Sequence, residues 1–102
     1  MYEVRYSISK SNITIESANH DCLIANQGTE YLTKLKNLET NGVIVSRTIL
    51  FENPSVTYLS IWKTKLDNDI FTEEVYSSTS LNSFNERLKN MGYTIQINKK
   101  EI

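Results

Sequence analysis

Ser80–Asn98, SLNSFNERLKNMGYTIQIN, is the stretch whose periodicity decides how the rest of the chain is read. Leu81, Phe84, Leu88 and Met91 fall at i, i+3, i+7 and i+10, one apolar stripe on an α-helix. Thr79 and Ser80 offer side-chain oxygens to the orphan N–H groups at its start. Gly92 stands where a left-handed C-cap residue is wanted. Tyr93, Ile95 and Ile97 then alternate with Thr94 and Gln96, so the period changes from 3.6 to 2 within one residue. The unit is helix, tight turn, strand.

Working back to the N-terminus, Tyr2, Val4, Tyr6 and Ile8 alternate with Glu3, Arg5 and Ser7, which predicts a strand over 2–8. Ser9–Asn12 is polar. Ile13 and Ile15 alternate with their neighbours, which suggests a short strand over 12–16 closing a hairpin. Ile24, Tyr31, Leu35 and Leu38 share a helical stripe interrupted by Gly28. A helix is expected over 29–40, and 19–27 is left open between helix and turn. Asn41-Gly42 ends that helix. VIVSRTILF, 43–51, and VTYLSIW, 56–62, read as strands joined by the turn ENPS, with Pro54 fixing φ. KTKLDND, 63–69, reads as a charged loop, 70–76 as an edge strand guarded by Glu73 and Glu74, and Lys99, Lys100 and Glu101 as a solvated tail.

Residues 31–38 and 84–91 match in class at most positions, and a Gly and a strand follow each. Two strand–helix–strand halves in about a hundred residues point to one α+β domain over 1–102. Its expected form is a ferredoxin-like two-layer plait. An antiparallel sheet carries two main helices on one face, with an extra N-terminal hairpin and the 70–76 strand as decorations.

Bulk properties exclude several classes. Eleven Lys and Arg against twelve Asp and Glu leave a net charge of −1, without the basic excess of a nucleic-acid clamp. No apolar run reaches the ~20 residues that span a bilayer, and MYEVRYSISK has no signal-peptide core. Cys22 is the single cysteine, so no intrachain disulfide forms and a reducing, cytoplasmic setting is expected.

Candidate chemistry is sparse. His20 and Cys22 make a His-x-Cys pair, but zinc needs three or four ligands and no other His or Cys exists. Cys22 therefore reads as a small buried residue and His20 as a surface one. Asp67, Asp69, Glu73 and Glu74 gather carboxylates without the Gly of a calcium loop. Gly28, Gly42 and Gly92 are isolated, so no phosphate loop is present. No catalytic, metal or cofactor residues are assigned, and no cofactor is expected.

The strands 43–51 and 56–62 are apolar on both faces. If Leu59 and Ile61 face the helices, then Val56, Tyr58 and Trp62, with Arg47 beside them, form the open face and need a cover. Arg47, Val56, Tyr58 and Trp62 are the candidate interface, toward a second copy of the chain or a protein partner. Tyr58 and Trp62 there could also stack RNA bases, but the paired-aromatic signature of that mode is absent from RTILF and YLSIW.

YLSIW followed by a loop, a helix and a last strand resembles the dimeric α+β barrels of the antibiotic-biosynthesis monooxygenase group. That resemblance implies two plaits packed sheet to sheet. Val56–Asn98, with its Met-Gly before the last strand, is similar to the small linker domain of phycobilisomes. Neither rests on a diagnostic motif, and the chain is assigned to neither. The leading functional expectation is a non-enzymatic binding or regulatory module working through its sheet face. The first alternative is a cofactor-free, monooxygenase-like enzyme with a pocket between sheet and helices and His20 as proton carrier. The second is a phage or mobile-element inhibitor or immunity-type accessory protein.

Overall fold

The computed structural model describes residues 1–75 and 78–102, with side chains described at 1–74 and 84–102. Strand β1, Tyr2–Ser9, lies inside the sheet, where its clean alternation gives it one apolar face to bury. The chain continues through helices α1, Ile15–Asn26, and α2, Glu30–Thr40, into strands β2, Ile44–Glu52, and β3, Ser55–Trp62. Helices α3, Lys65–Val75, and α4, Ser78–Asn90, then lead to strand β4, Thr94–Glu101. The strands pair antiparallel in the order β2-β3-β1-β4. This is the strand order of a ferredoxin-like α+β plait, with each crossover made of two helices rather than one.

Two of those helices depart from the sequence reading. The hairpin strand expected over 12–16 is instead a turn and the start of α1. Thr14 caps that helix reciprocally with Ser17, at 2.9 and 3.0 Å. The buried stripe of α1 is Ala18, Cys22 and Ala25, side chains too small to stand out as a hydrophobic period. The loop over 63–69 and the strand over 70–76 are replaced by α3, as far as the described residues reach. Thr64 Oγ1 accepts from the Asp67 amide at 3.1 Å and donates to the Asp67 carboxylate at 2.8 Å. The expected solvated tail, Lys99–Glu101, is part of β4 and pairs with Val4, Glu3 and Tyr2.

The unit over 80–98 folds as read. Phe84 and Leu88 are buried and Met91 packs against the same cluster, while Leu81, Thr79 and Ser80 lie outside the described side chains. Gly92 adopts φ +96, the left-handed region that a C-cap requires. In α2, which starts one residue after Thr29, Leu35 and Leu38 pack toward Ile44 and Trp62.

Register settles which face meets the helices. Residues directly opposite in an antiparallel pair share a face. Tyr2 faces Trp62, Val4 faces Ser60, Tyr6 faces Tyr58 and Ile8 faces Val56. Tyr6 bonds Asn85 of α4, Tyr58 bonds Asn19 of α1, and Trp62 stacks on Phe71 of α3 at 5.3 Å. This is therefore the roofed face. The other parity, with Arg5, Ser7, Thr57, Leu59 and Ile61, projects away from the helices. A bulge in β2 between Ile44 and Ser46 changes parity within that strand, so Ile44 shares the roofed face with Arg47, Ile49 and Phe51.

The expected open-face placement of Val56, Tyr58, Trp62 and Arg47 is thus reversed. Trp62 is 1 % exposed and Val56 fully buried, both in the core beneath the helices. The physical reason is that β3 is apolar on both parities and cannot fix its own register. β1 can, because its polar parity is Glu3, Arg5 and Ser7, and pairing β3 to it carries Trp62 to the side of Tyr2.

Candidate functional site

Four transverse rows of side chains cross the roofed face. Phe51, Val56, Ile8 and Ile95 form one row, and Ile49, Tyr58, Tyr6 and Ile97 the next. Arg47, Ser60, Val4 and Lys99 form the third, and Ile44, Trp62, Tyr2 and Glu101 the fourth. Val56, Ile8 and Ile95 of the first row belong to a core cluster with Cys22, Leu88 and Tyr93, and Ile44, Trp62 and Tyr2 of the fourth to a separate cluster with Phe71. Between aromatics on both sides, the third row places only Ser60 and Val4 at the centre of the sheet. Small side chains flanked by tall ones leave a hollow that the helices span without filling.

That hollow is a cavity of about 680 Å³, within the usual size of a small-molecule site. Its floor is Val4 and Ser60, and Tyr6, Tyr58 and Trp62 wall it from the sheet. From above, α1 contributes Asn19, Cys22 and Asn26, α2 contributes Tyr31 and Leu35, and α3 contributes Asn68 and Phe71. Phe84 of α4 adds to this lining. Leu32 and Ile49 are exposed at the β2 edge of the cavity and Ile97 at the β4 edge.

The polar groups are held by specific partners. Trp62 Nε1–H donates to Ser60 Oγ at 2.9 Å, which fixes the indole along the floor. Tyr58 donates to Asn19 Oδ1 at 2.7 Å, and the Cys22 thiol points to the Tyr58 hydroxyl oxygen at 3.9 Å. Tyr6 donates to Asn85 Oδ1 at 2.6 Å. Lys99 Nζ donates to Oδ1 of Asn68, a buried amide, at 3.0 Å.

Burial governs how these groups titrate. It pushes the Cys22 thiol up to about 11, and it raises the Tyr58 hydroxyl, with the nearby Cys22 adding to the effect. Tyr31 is raised for the same first reason. The α1 side of the cavity therefore presents neutral hydroxyl, thiol and amide groups at pH 7, and the thiol is not a poised nucleophile. Desolvation lowers the Lys99 ammonium, partly offset by the more distant charge of Asp69.

Sequence reasoning placed some of these residues and missed others. Cys22 is buried, as read, and His20, expected to carry protons if the chain were an enzyme, is exposed on α1 outside the cavity lining. Of the four candidate interface residues, Tyr58, Trp62 and Arg47 line the cavity. The carboxylates of 67–74 are spread along α3. Asp67 engages the Thr64 cap, Asp69 pairs with Lys65 at 3.0 Å, and Glu74 pairs with Lys34. Among the described residues no three His, Cys, Asp or Glu side chains converge on a metal-sized site. Asn19, Asn68 and Lys99 escaped notice because their segments were not read as helix or strand. The available signal was Thr-x-x-Asp at 64–67, a capping pattern ahead of Ile70 and Phe71.

No family model matches the chain, and no curated protein matches it. Solved structures do. A crystal structure of a proposed antibiotic biosynthesis monooxygenase from Deinococcus radiodurans superposes with a TM-score of 0.58 at 11% identity, covering 100% of this chain and 92% of that one. A dimeric ferredoxin-like protein from an uncultured marine organism superposes with a TM-score of 0.52 at 8% identity, covering 98% of this chain and 91% of that one. At such identities the likeness establishes the ferredoxin-like α+β fold and nothing finer.

Proposed function

We propose that this chain binds a small, largely apolar organic molecule in the cavity between its sheet and its helices. The observation that carries the reading is the Val4–Ser60 gap between two aromatic rows, roofed to give a ligand-sized space with a few oriented polar groups. The reading is compatible with a monooxygenase-like activity, the description borne by one structural neighbour, but the neutral Cys22–Tyr58–Asn19 cluster supports binding more directly than catalysis.

The test is occupancy. Trp62 is the one tryptophan and lines the space, so its indole N–H resonance should shift saturably with small bicyclic aromatic compounds. Ser60→Leu should fill the floor and abolish the shift while the protein stays folded. Shifts that persist unchanged in that variant, or none with any compound, would overturn the reading.

A second reading concerns assembly. Leu50, Leu59 and Ile61 stand on the face opposite the helices, and one structural neighbour is described as dimeric. We propose that this face joins two copies of the chain. Sedimentation over a concentration series tests it, and a monomer throughout would remove it.

A further inference from the structure

The residues that line the cavity include two cations, Arg47 and Lys99, and no carboxylate among those described. Both stand in the same row of the sheet, one on each edge strand, with Ser60 and Val4 between them. Three strand spacings separate their backbones, roughly 14 Å. Their situations differ. Arg47 has a carboxylate in reach, Glu39 of α2 at 3.4 Å. Lys99 Nζ instead meets the neutral amide of Asn68 at 3.0 Å. That amide is buried, and the Asn68 carbonyl accepts from the Thr72 hydroxyl at 2.8 Å, which steadies the turn of α3 that carries it. Asp69, the nearest acid on α3, is taken by Lys65 at 3.0 Å. A cation at the rim of an aromatic-walled space, held by a neutral acceptor, is a receptor for an anion.

We propose that the molecule held in this cavity is an apolar carboxylate, its charged end at Lys99 and its flat body over Val4 and Ser60, between Tyr6 and Trp62. This rests on the small-molecule reading of the cavity and adds the charge and the orientation of its ligand. Lys99 is exposed as a residue at the β4 edge, and the partial desolvation of its ammonium agrees with this placement. The neutral groups of α1 sit across the cavity from that charge and face the uncharged part of the ligand.

The experiment uses two probes of one shape, 2-naphthoate and the uncharged 2-naphthamide, titrated into the full chain at pH 7 with the Trp62 indole resonance as readout. Naphthoate should bind about tenfold tighter, the scale of one charge-assisted hydrogen bond. Lys99→Gln should erase the preference, while Lys99→Arg keeps it. Circular dichroism confirms the fold of each variant. Equal binding of both probes, or a preference that survives Lys99→Gln, would overturn this inference while the cavity reading stands. A preference lost instead in Arg47→Gln would put the charge at the wrong edge and also overturn it. Failure of both probes to bind would remove the cavity reading and this inference together.

Discussion

Tyr2, Tyr6, Tyr58 and Trp62 stand on one face of the sheet, and Glu3, Ser7, Thr57 and Ile61 on the other, each only one residue away along its strand. The roofed face carries large apolar bodies with single polar tips, of which those of Tyr6, Tyr58 and Trp62 each meet a named partner. The open face carries short polar pairs, such as Ser7 with Thr57 at 2.8 Å and Ser9 with Ser55 at 2.7 Å, around a small patch of Leu50, Leu59 and Ile61. Its charged groups pair with one another. Glu3 is held below the ordinary carboxylate range by the Arg5 guanidinium at 3.2 Å, with Lys100 farther off. The difference teaches that apolar content alone did not choose the core face of β3. Its pairing to β1 did, and a slip of one residue would have exchanged the two faces entirely.

The largest expected effect breaks this contrast directly. Trp62 is buried in a cluster with Phe71, Tyr2 and Ile44. Trp62→Ala should therefore destabilise the folded chain by roughly 3–5 kcal/mol, read by chemical denaturation. A loss below about 1 kcal/mol, with self-association weakened instead, would return Trp62 to the open face and undo the register.

A second expectation sharpens the contrast through ionisation. The Cys22 thiol is raised from 9.0 to about 11, chiefly by burial under α1. A group whose folded value lies above its unfolded one holds its proton more tightly in the native state. Its stabilising share is therefore complete below pH 9 and is lost as pH rises toward 11. The shift corresponds to at most roughly 2–3 kcal/mol. Tyr58 and Tyr93, raised by burial and, for Tyr93, by its bond to Asp21, extend the loss to higher pH. Denaturation midpoints between pH 8 and 11 should fall in the parent chain and fall less in Cys22→Ala. Parallel slopes for the two proteins would show that the thiol is not buried as described.

Much of the fold was legible because several elements advertise themselves by period: β1 by twos, α4 and β4 by the switch at Gly92, the β2–β3 hairpin by Pro54 between two apolar runs. What was missed lacks that signal. α1 buries Ala18, Cys22 and Ala25, α3 buries Asn68 and Phe71, and the end of β4 has no apolar residue, being held by backbone pairing to β1. The cavity inherits those gaps. Its aromatic walls could be read, but the roof belongs largely to the helices that composition hid, and Lys99 to the segment taken for a tail. The β2 bulge adds a parity change that side-chain alternation alone cannot announce.

The smallest expected effect lies on the open face. Leu59 and Ile61 are half-buried there by their sheet neighbours, with no described helix bonded or stacked against them. Truncating either to alanine removes contacts made only partly within the subunit, so the cost to monomer stability should stay near or below about 1 kcal/mol. If two copies join at this face, the same truncations remove the centre of the joint, where binding energy concentrates. Leu59→Ala should then weaken self-association by about 1–2 kcal/mol, close to tenfold in the dissociation constant. Sedimentation across a concentration series measures that change, and denaturation at low concentration measures the monomer term apart from it. Exposed Ile24 on α1, outside both faces, serves as the control, and Ile24→Ala should leave the association constant where it was. Equal weakening by Ile24→Ala and Leu59→Ala would show that association is a general property of exposed apolar side chains, and the sheet face would lose its claim to be the joint.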